Sequence, residues 1–414
     1  MASHFLNGQP FALLFRTFRE KGAELYLVGG AVRDLLLGQK PEDWDFTTSA
    51  APEQTIRFLQ DAFPQHQPIL KGRRFGTIGV DLSDSNRKMS FEITTFRKED
   101  GYRDRRHPDK VAFQASVTDD VRRRDFTING LWMDENGVVF DAVGGFSDLK
   151  RRTVRCIGEP KTRFAEDPLR KWRGVRFAAQ IGGQMAPKTR AAILASPDTK
   201  GVSFERLREE WTKMLLNPNA AFALKELQAL GLWDDLLGRL DTPEIGILSQ
   251  KICESAETLP LDLEMRLAWL FQEAPDESRR LFLKRLRFSK KEIQKVAALM
   301  IFKEIDCTDI VAFKTLLREA GLSVFEQALT LQELRTPESP NNRSCLTQIL
   351  NHREPIAYQD LAVGARDLMA LGFQGKAVGG ALERLCRLVY AHPEVNKKER
   401  LLEAAAKIAN EEKV

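Results

Sequence analysis

The sequence predicts an α+β protein in which an N-terminal mixed-sheet head precedes an all-helical remainder. Two observations carry this. Short runs of strand-forming residues, separated by glycine-rich or polar turns, are concentrated before about residue 150. From Thr162 to the C-terminus apolar residues recur instead at helical spacing, with turns near Pro187, Pro197, Pro260 and Pro337 to Asn342. A chain of 414 residues exceeds one ordinary domain. The expected division is 1–150 for the head, then helical segments 151–218, 219–300 and 301–414.

Taken in order, Phe11, Leu14, Phe15 and Phe18 fall at i, i+3, i+4 and i+7, so residues near 9–21 form an amphipathic helix over the first strand. Tyr26 to Val28 is that strand. Gly29 and Gly30 then make a turn whose backbone can approach a ligand closely, and Ala31 to Leu37 is a helix stopped at Gly38. Strand, double glycine and helix start bring free amides to one point, which favours an anion such as phosphate, and Arg33 adds a full charge there. If Trp44 to Thr47 is a strand, Asp43 and Asp45 project to the same face and can share a magnesium ion. A lone Gly-Gly is usually a turn and a lone Asp-x-Asp usually solvated surface. In this order and at this separation they point to a nucleoside triphosphate held over Mg2+. The competing phosphate motifs, G-x-G-x-x-G after a strand and G-x-x-x-x-G-K-[ST], are absent.

LVGGAVRD followed by DWD resembles the opening motif of the class II RNA nucleotidyltransferases: CCA-adding enzymes, their CC-adding and A-adding relatives, and bacterial poly(A) polymerases. The resemblance implies a nucleotidyltransferase head followed by helical neck, body and tail. Beyond the motif, Pro52 opens a helix reaching about Leu59, and GRRFGTIGVDL and KMSFEITTFR read as strands joined by a turn at Ser83 to Arg87. Glu92 in the second strand is a candidate third metal ligand, with an edge-strand glutamate equally compatible. FGTIGV with EITTFR resembles the CCA-adding branch more than the polymerases. Residues 97–110 read as a solvated charged loop, and the resemblance makes Asp104, Arg105, Arg106 and His107 part of a segment that helps the site change from C to A.

VRRRDFTIN carries the second signal. Arginines and an aspartate before a strand suit a ribose hydroxyl and phosphate, and the resemblance assigns Arg123, Arg124 and Asp125 to the nucleotide. A short strand, GVVFDAV, closes the head. The third motif is FAEDPLRKWRGVRF: Glu166 and Asp167 are expected at a helix start with Pro168 in its first turn, Asp167 and Arg170 on one face, and Arg173 and Arg176 continuing along it. Without context this is a charged helix with internal ion pairs. The resemblance makes its E-D-x-x-R stretch a protein template for base choice, with Asp167 and Arg170 on the base, and assigns Glu166, Arg173 and Arg176 to nucleotide binding as well. Ser203 caps a further amphipathic helix to Leu216, which resembles the family's last motif and is read as structural. In the tail, the turn Gly372 to Gly375 before Lys376 offers amides to an RNA phosphate or is simply a helix–helix turn; Gln374 replaces the proline of the CCA-adding pattern.

The net charge of +5 confines any nucleic-acid surface to a local patch. Five scattered cysteines indicate neither a disulfide framework nor a zinc site, and no leader or long apolar run is apparent, so the expected location is the cytoplasm. The expected activity is addition of C, C and A to the 3′ end of tRNA, with tRNA, CTP and ATP as partners and neither DNA nor membrane. The alternatives are a CC-adding, A-adding or poly(A)-adding relative and, in another class, an RNA-binding protein with a vestigial site.

Overall fold

The structure, a computed structural model, describes residues 8, 10–72, 76–82, 89–100, 110–113, 116–246, 250–337 and 341–411. The chain divides into two compact units between residues 247 and 248, inside the segment expected to span 219–300.

The first unit is built on a seven-stranded mixed sheet ordered β3-β4-β5-β2-β1-β8-β9. Its strands are β1 (Leu25–Val28), β2 (Trp44–Thr48), β3 (Ile69–Gly72), β4 (Thr77–Asp81), β5 (Ser90–Thr95), β8 (Leu131–Met133) and β9 (Val139–Asp141). Only β2 and β5 run parallel. Helices α1 (Phe11–Glu20) and α3 (Pro52–Ala62) supply the cover of one sheet face, because aromatic residues of α1 point inward: Phe11 meets Trp44 at 4.5 Å, Phe15 meets Phe46 at 5.8 Å and Phe18 meets Phe58 at 5.2 Å between ring centroids. Each such buried aromatic side chain contributes roughly 2 kcal/mol. With Phe46 on the covered face, strand alternation sends Asp45 to the other. Helix α2 (Gly30–Leu36) follows β1 directly, and α4 (Val117–Arg122) and α5 (Gly145–Lys150) complete the head.

The sequence reading placed residues 97–110 in a loop. Its ends instead form an antiparallel ladder, β6 (Arg97–Asp100) with β7 (Lys110–Phe113). Ladder hydrogen bonds are made by backbone groups, so charged side chains do not prevent the pairing. Asp104, Arg105, Arg106 and His107, like the turn at Ser83 to Arg87, lie outside the described residues.

Past residue 150 the unit is helical except for a two-residue parallel pair, β10 (Thr153–Val154) with β11 (Gln184–Met185). The helices are α6 (Pro160–Glu166), α7 (Leu169–Gln180), α8 (Pro187–Ala195), α9 (Phe204–Leu215), α10 (Ala220–Ala229) and α11 (Leu232–Leu240). Ser203 caps α9 by accepting from the Arg206 amide, as its sequence position implies.

The second unit is helical: α12 (Gln250–Ser255), α13 (Leu263–Leu270), α14 (Asp276–Arg285), α15 (Lys290–Leu299), α16 (Ile310–Ala320), α17 (Leu322–Arg335), α18 (Asn342–Asn351), α19 (Ala365–Ala370), α20 (Lys376–Ala391) and α21 (Lys398–Glu411). Leu368, Phe373, Leu385, Val389 and Leu401 form a core under its last helices. Gly372 and Gly375 both take positive φ, 96° and 53°, and make the turn into α20. Among the described residues no helix is long and apolar enough to cross a membrane.

Candidate active site

One cavity of about 880 Å³ opens in the first unit, within the size range of small-molecule sites. Of the residues expected to hold the metal or the nucleotide, all but Glu92 and Glu166 line it.

The turn after β1 begins the site. Gly29 has φ +68° and ψ −130°, a combination that residues bearing a Cβ rarely adopt, and an added Cβ would stand 3.0 Å from Arg124 Nη1. The glycine thus lets a guanidinium approach the backbone. Arg124 comes from the end of α4, where the fully buried Asp120 holds both it (Nη2 to Oδ2, 3.1 Å) and Arg123 (Nη2 to Oδ1, 2.7 Å). The buried Arg124 Nε has no hydrogen-bond partner among the described residues. Arg33 is less free than its position suggested. It is buried, donates to Asp34 and to Asn129 Oδ1 at 2.7 Å, and stands 5.1 Å from the Phe177 ring.

Asp43 is exposed and Asp45 half-buried on the same wall. Neither carboxylate makes a hydrogen bond or ion pair to a described residue. Burial pushes Asp45 up to about 6, opposed by Arg124 and reinforced by Glu92 and Asp43. Two carboxylates without protein donors, one already short of compensating charge, fit a divalent cation; magnesium needs only one or two, the rest being water and phosphate oxygens. Glu92 pairs in register with Asp45 across the parallel strands, but its carboxylate meets Lys71 Nζ at 2.6 Å outside the cavity lining. It does not stand as a third ligand in this arrangement, because the lysine on β3 occupies it.

Asp125 is buried and fully engaged. Its Oδ2 accepts from Arg173 Nε at 2.7 Å, and its Oδ1 from the Phe126 amide at 2.8 Å and Asn129 Nδ2 at 3.3 Å. Burial opposes its ionisation, yet the Arg173 guanidinium brings it down to about 2. Arg173 is correspondingly held above its ordinary value, against burial, by Asp125 and Glu210.

The third motif departs in part from expectation. Glu166 closes one helix and does not open the next, whereas Asp167 stands at the start of that next helix: its Oδ1 accepts from the Leu169 amide at 3.1 Å and its carbonyl from the Arg170 amide at 3.0 Å, with Pro168 already helical between them. α6 ends at Glu166, and Asp167 is extended (φ −148°, ψ 101°) because the following proline disfavours helical backbone in the residue before it. Asp167 and Arg170 line the same cavity but are bound by different partners and not by each other's side chains. Asp167 is bound by Arg206 of α9, Nη2 to Oδ2 at 2.7 Å and Nη1 to Oδ1 at 3.2 Å, while Arg170 Nη1 meets Glu166 Oε2 at 2.5 Å. Further along α7, Arg176 donates to the buried Glu210 at 2.6 Å and lies 4.0 Å from the Phe177 ring. Burial lowers its basicity, with Glu210 opposing. Arg33, Arg173 and Arg176 thus surround one aromatic ring.

Sequence reasoning missed the wall contributed by α9. Arg206, Glu210 and Lys213 fall at i, i+4 and i+7, one helical face, which was the signal available. Arg206 and Lys213 line the cavity. Asn129, which fastens Arg33 to Asp125, was also missed.

Three family models match the chain: the poly A polymerase head domain over residues 25–155, a probable RNA and SrmB-binding site of polymerase A over 184–245, and a putative tRNA nucleotidyltransferase domain 2 over 265–405. The chain is 42% identical over 220 residues to the CCA-adding enzyme of Lactobacillus delbrueckii subsp. bulgaricus, a match spanning 53% of each chain and so about half the length of that relative. To the CCA-adding enzyme of Bacillus pumilus it is 33% identical over 406 residues, 94% of each. Among solved structures, the CCA-adding enzyme of Bacillus stearothermophilus in complex with CTP superposes with a TM-score of 0.79 at 30% identity, covering 98% of this chain and 99% of that one. The fold of the Thermotoga maritima CCA-adding enzyme is also similar, with a TM-score of 0.64 at 19% identity, covering 99% and 98%.

Proposed function

Since the chain belongs to the CCA-adding enzyme family of class II RNA nucleotidyltransferases, we propose that it adds C, C and A to the 3′ end of tRNA from CTP and ATP, with no nucleic-acid template. The observation that carries this reading is Asp45, a half-buried carboxylate without a protein donor, set beside Asp43 in a cavity that eight arginines also line. Magnesium held by Asp43 and Asp45 would supply Lewis acidity toward the α-phosphate and the attacking 3′ hydroxyl.

The remaining roles fall to the chain's own groups. Gly29 and Gly30 leave the backbone open to the triphosphate, and Arg33, Arg173 and Arg176 balance its charge. Arg124, with Nε unpaired, and Asp125 flank the ribose. Such a reaction needs position and charge neutralisation more than covalent help. Cytosine and adenine both present an exocyclic amine beside a ring-nitrogen acceptor, so Asp167 accepts from the amine and Arg170 donates to the ring nitrogen. Guanine and uracil place a carbonyl against the Asp167 carboxylate and are refused. The helical parts hold tRNA by shape and phosphate contacts, since double-stranded RNA exposes little readable sequence.

The test is substitution of the carboxylates. Asp43→Asn or Asp45→Asn is expected to lower nucleotide addition by several orders of magnitude while tRNA affinity, measured by filter binding, changes little. Normal turnover in either variant would remove these residues from the metal site.

A further inference from the structure

The Arg206 contact adds a third residue to the two assigned to base choice. We infer that Arg206 is a positioning residue for nucleotide selection, acting through Asp167; this rests on the reading of Asp167 as the base-selecting carboxylate. Asp167 is an extended residue at the start of α7, so its side chain is not oriented by helical backbone of its own. Two contacts fix it instead. Oδ1 accepts from the Leu169 amide at 3.1 Å, and Arg206 takes both oxygens in a fork, at 3.2 and 2.7 Å. A bidentate guanidinium sets the plane of a carboxylate as well as its location.

The fork is itself anchored, because Arg206 sits in the first turn of α9 where Ser203 accepts from its amide. Its side chain is 21% exposed and that of Asp167 14%, so the pair is largely shielded but reachable from the cavity both residues line. Arg170 is held separately, through Glu166 and the Arg163 carbonyl. Donor and acceptor for the base edge are thus oriented by different neighbours. Losing Arg206 frees Asp167 to rotate while leaving the Arg170 anchor in place, and an acceptor that can turn aside no longer penalises a carbonyl.

The experiment compares kcat/KM for CTP, ATP, UTP and GTP on tRNA lacking its last three nucleotides, in unmodified protein, Arg206→Met and Arg206→Lys. Arg206→Met is expected to narrow the preference for CTP over UTP by about tenfold or more, mainly through KM, the size of one misplaced base contact. Arg206→Lys, with charge but no fork, is expected to fall between. Arg190→Met serves as the control, since Arg190 makes a comparable inter-helix pair with Glu226 at 2.7 Å and does not line the cavity. It is expected to cost similar thermal stability without altering preference. Equal loss for all four nucleotides in Arg206→Met, matching the control, would overturn the positioning role and leave a structural ion pair. Unmodified protein that adds no nucleotide at all would instead overturn the reading on which the inference rests.

Discussion

Asp125 is the residue on which the charge balance of the cavity turns. It is buried, accepts from Arg173, Asn129 and the backbone, and titrates near 2 against an ordinary value of 3.8. A carboxylate lowered on folding contributes stability that is present above the unfolded value and lost as pH falls through the folded one. The window is therefore pH 4 to 2, and the contribution above it is on the order of 2 kcal/mol. Asp125→Asn is expected to be less stable than the unmodified protein at neutral pH and to lose less on acidification through that window, as measured by urea unfolding. Parallel curves would show that the Arg173 pairing carries no stability. At this scale the site was legible wherever its residues are neighbours in sequence. Gly29, Asp43, Asp45 and Asp125 all line the cavity as expected. The Asp167–Arg206 contact was not legible, because its partners are 39 residues apart and meet only when α9 packs beside α7. The extended backbone of Asp167 could have been read from the proline that follows it.

Among the elements, the unit β1–turn–α2 does most to shape the site. Gly29 and Gly38 bracket it with φ of +68° and +74°, but only Gly29 has a neighbour where a Cβ would stand, Arg124 Nη1 at 3.0 Å; nothing lies within 4 Å of Gly38. The two glycines separate strain from function. Gly29→Ala and Gly38→Ala are each expected to cost about 1–2 kcal/mol in thermal or denaturant unfolding. Only Gly29→Ala is expected to raise KM for both CTP and ATP, because it displaces Arg124. Unchanged KM in Gly29→Ala would separate the turn from the nucleotide. β1, β2 and β5 were readable to within about two residues because alternation is a local signal, β2 being expected at Trp44 to Thr47 and found at Trp44–Thr48, whereas β3 (Ile69–Gly72) was not read as a strand. The β6–β7 ladder was not, since its composition is that of a solvated loop and its pairing depends on where the chain returns.

For the molecule as a whole, the order of a mixed-sheet part followed by helices was visible in the change of periodicity near residue 150. The division between residues 247 and 248 was not, since it depends on which helices pack together and not on composition. The central claim is a sequence of three additions at one site, and product length on tRNA lacking its last three nucleotides tests it most directly. With CTP alone the product is expected to grow by two residues, and with CTP and ATP together by three and then stop, while Asp45→Asn yields none. Growth that halts after two cytidines with ATP abundant, a single adenosine on tRNA already ending in CC with no cytidine added before it, or a long adenosine tail would each contradict the claim and point to a CC-adding, A-adding or poly(A)-adding relative.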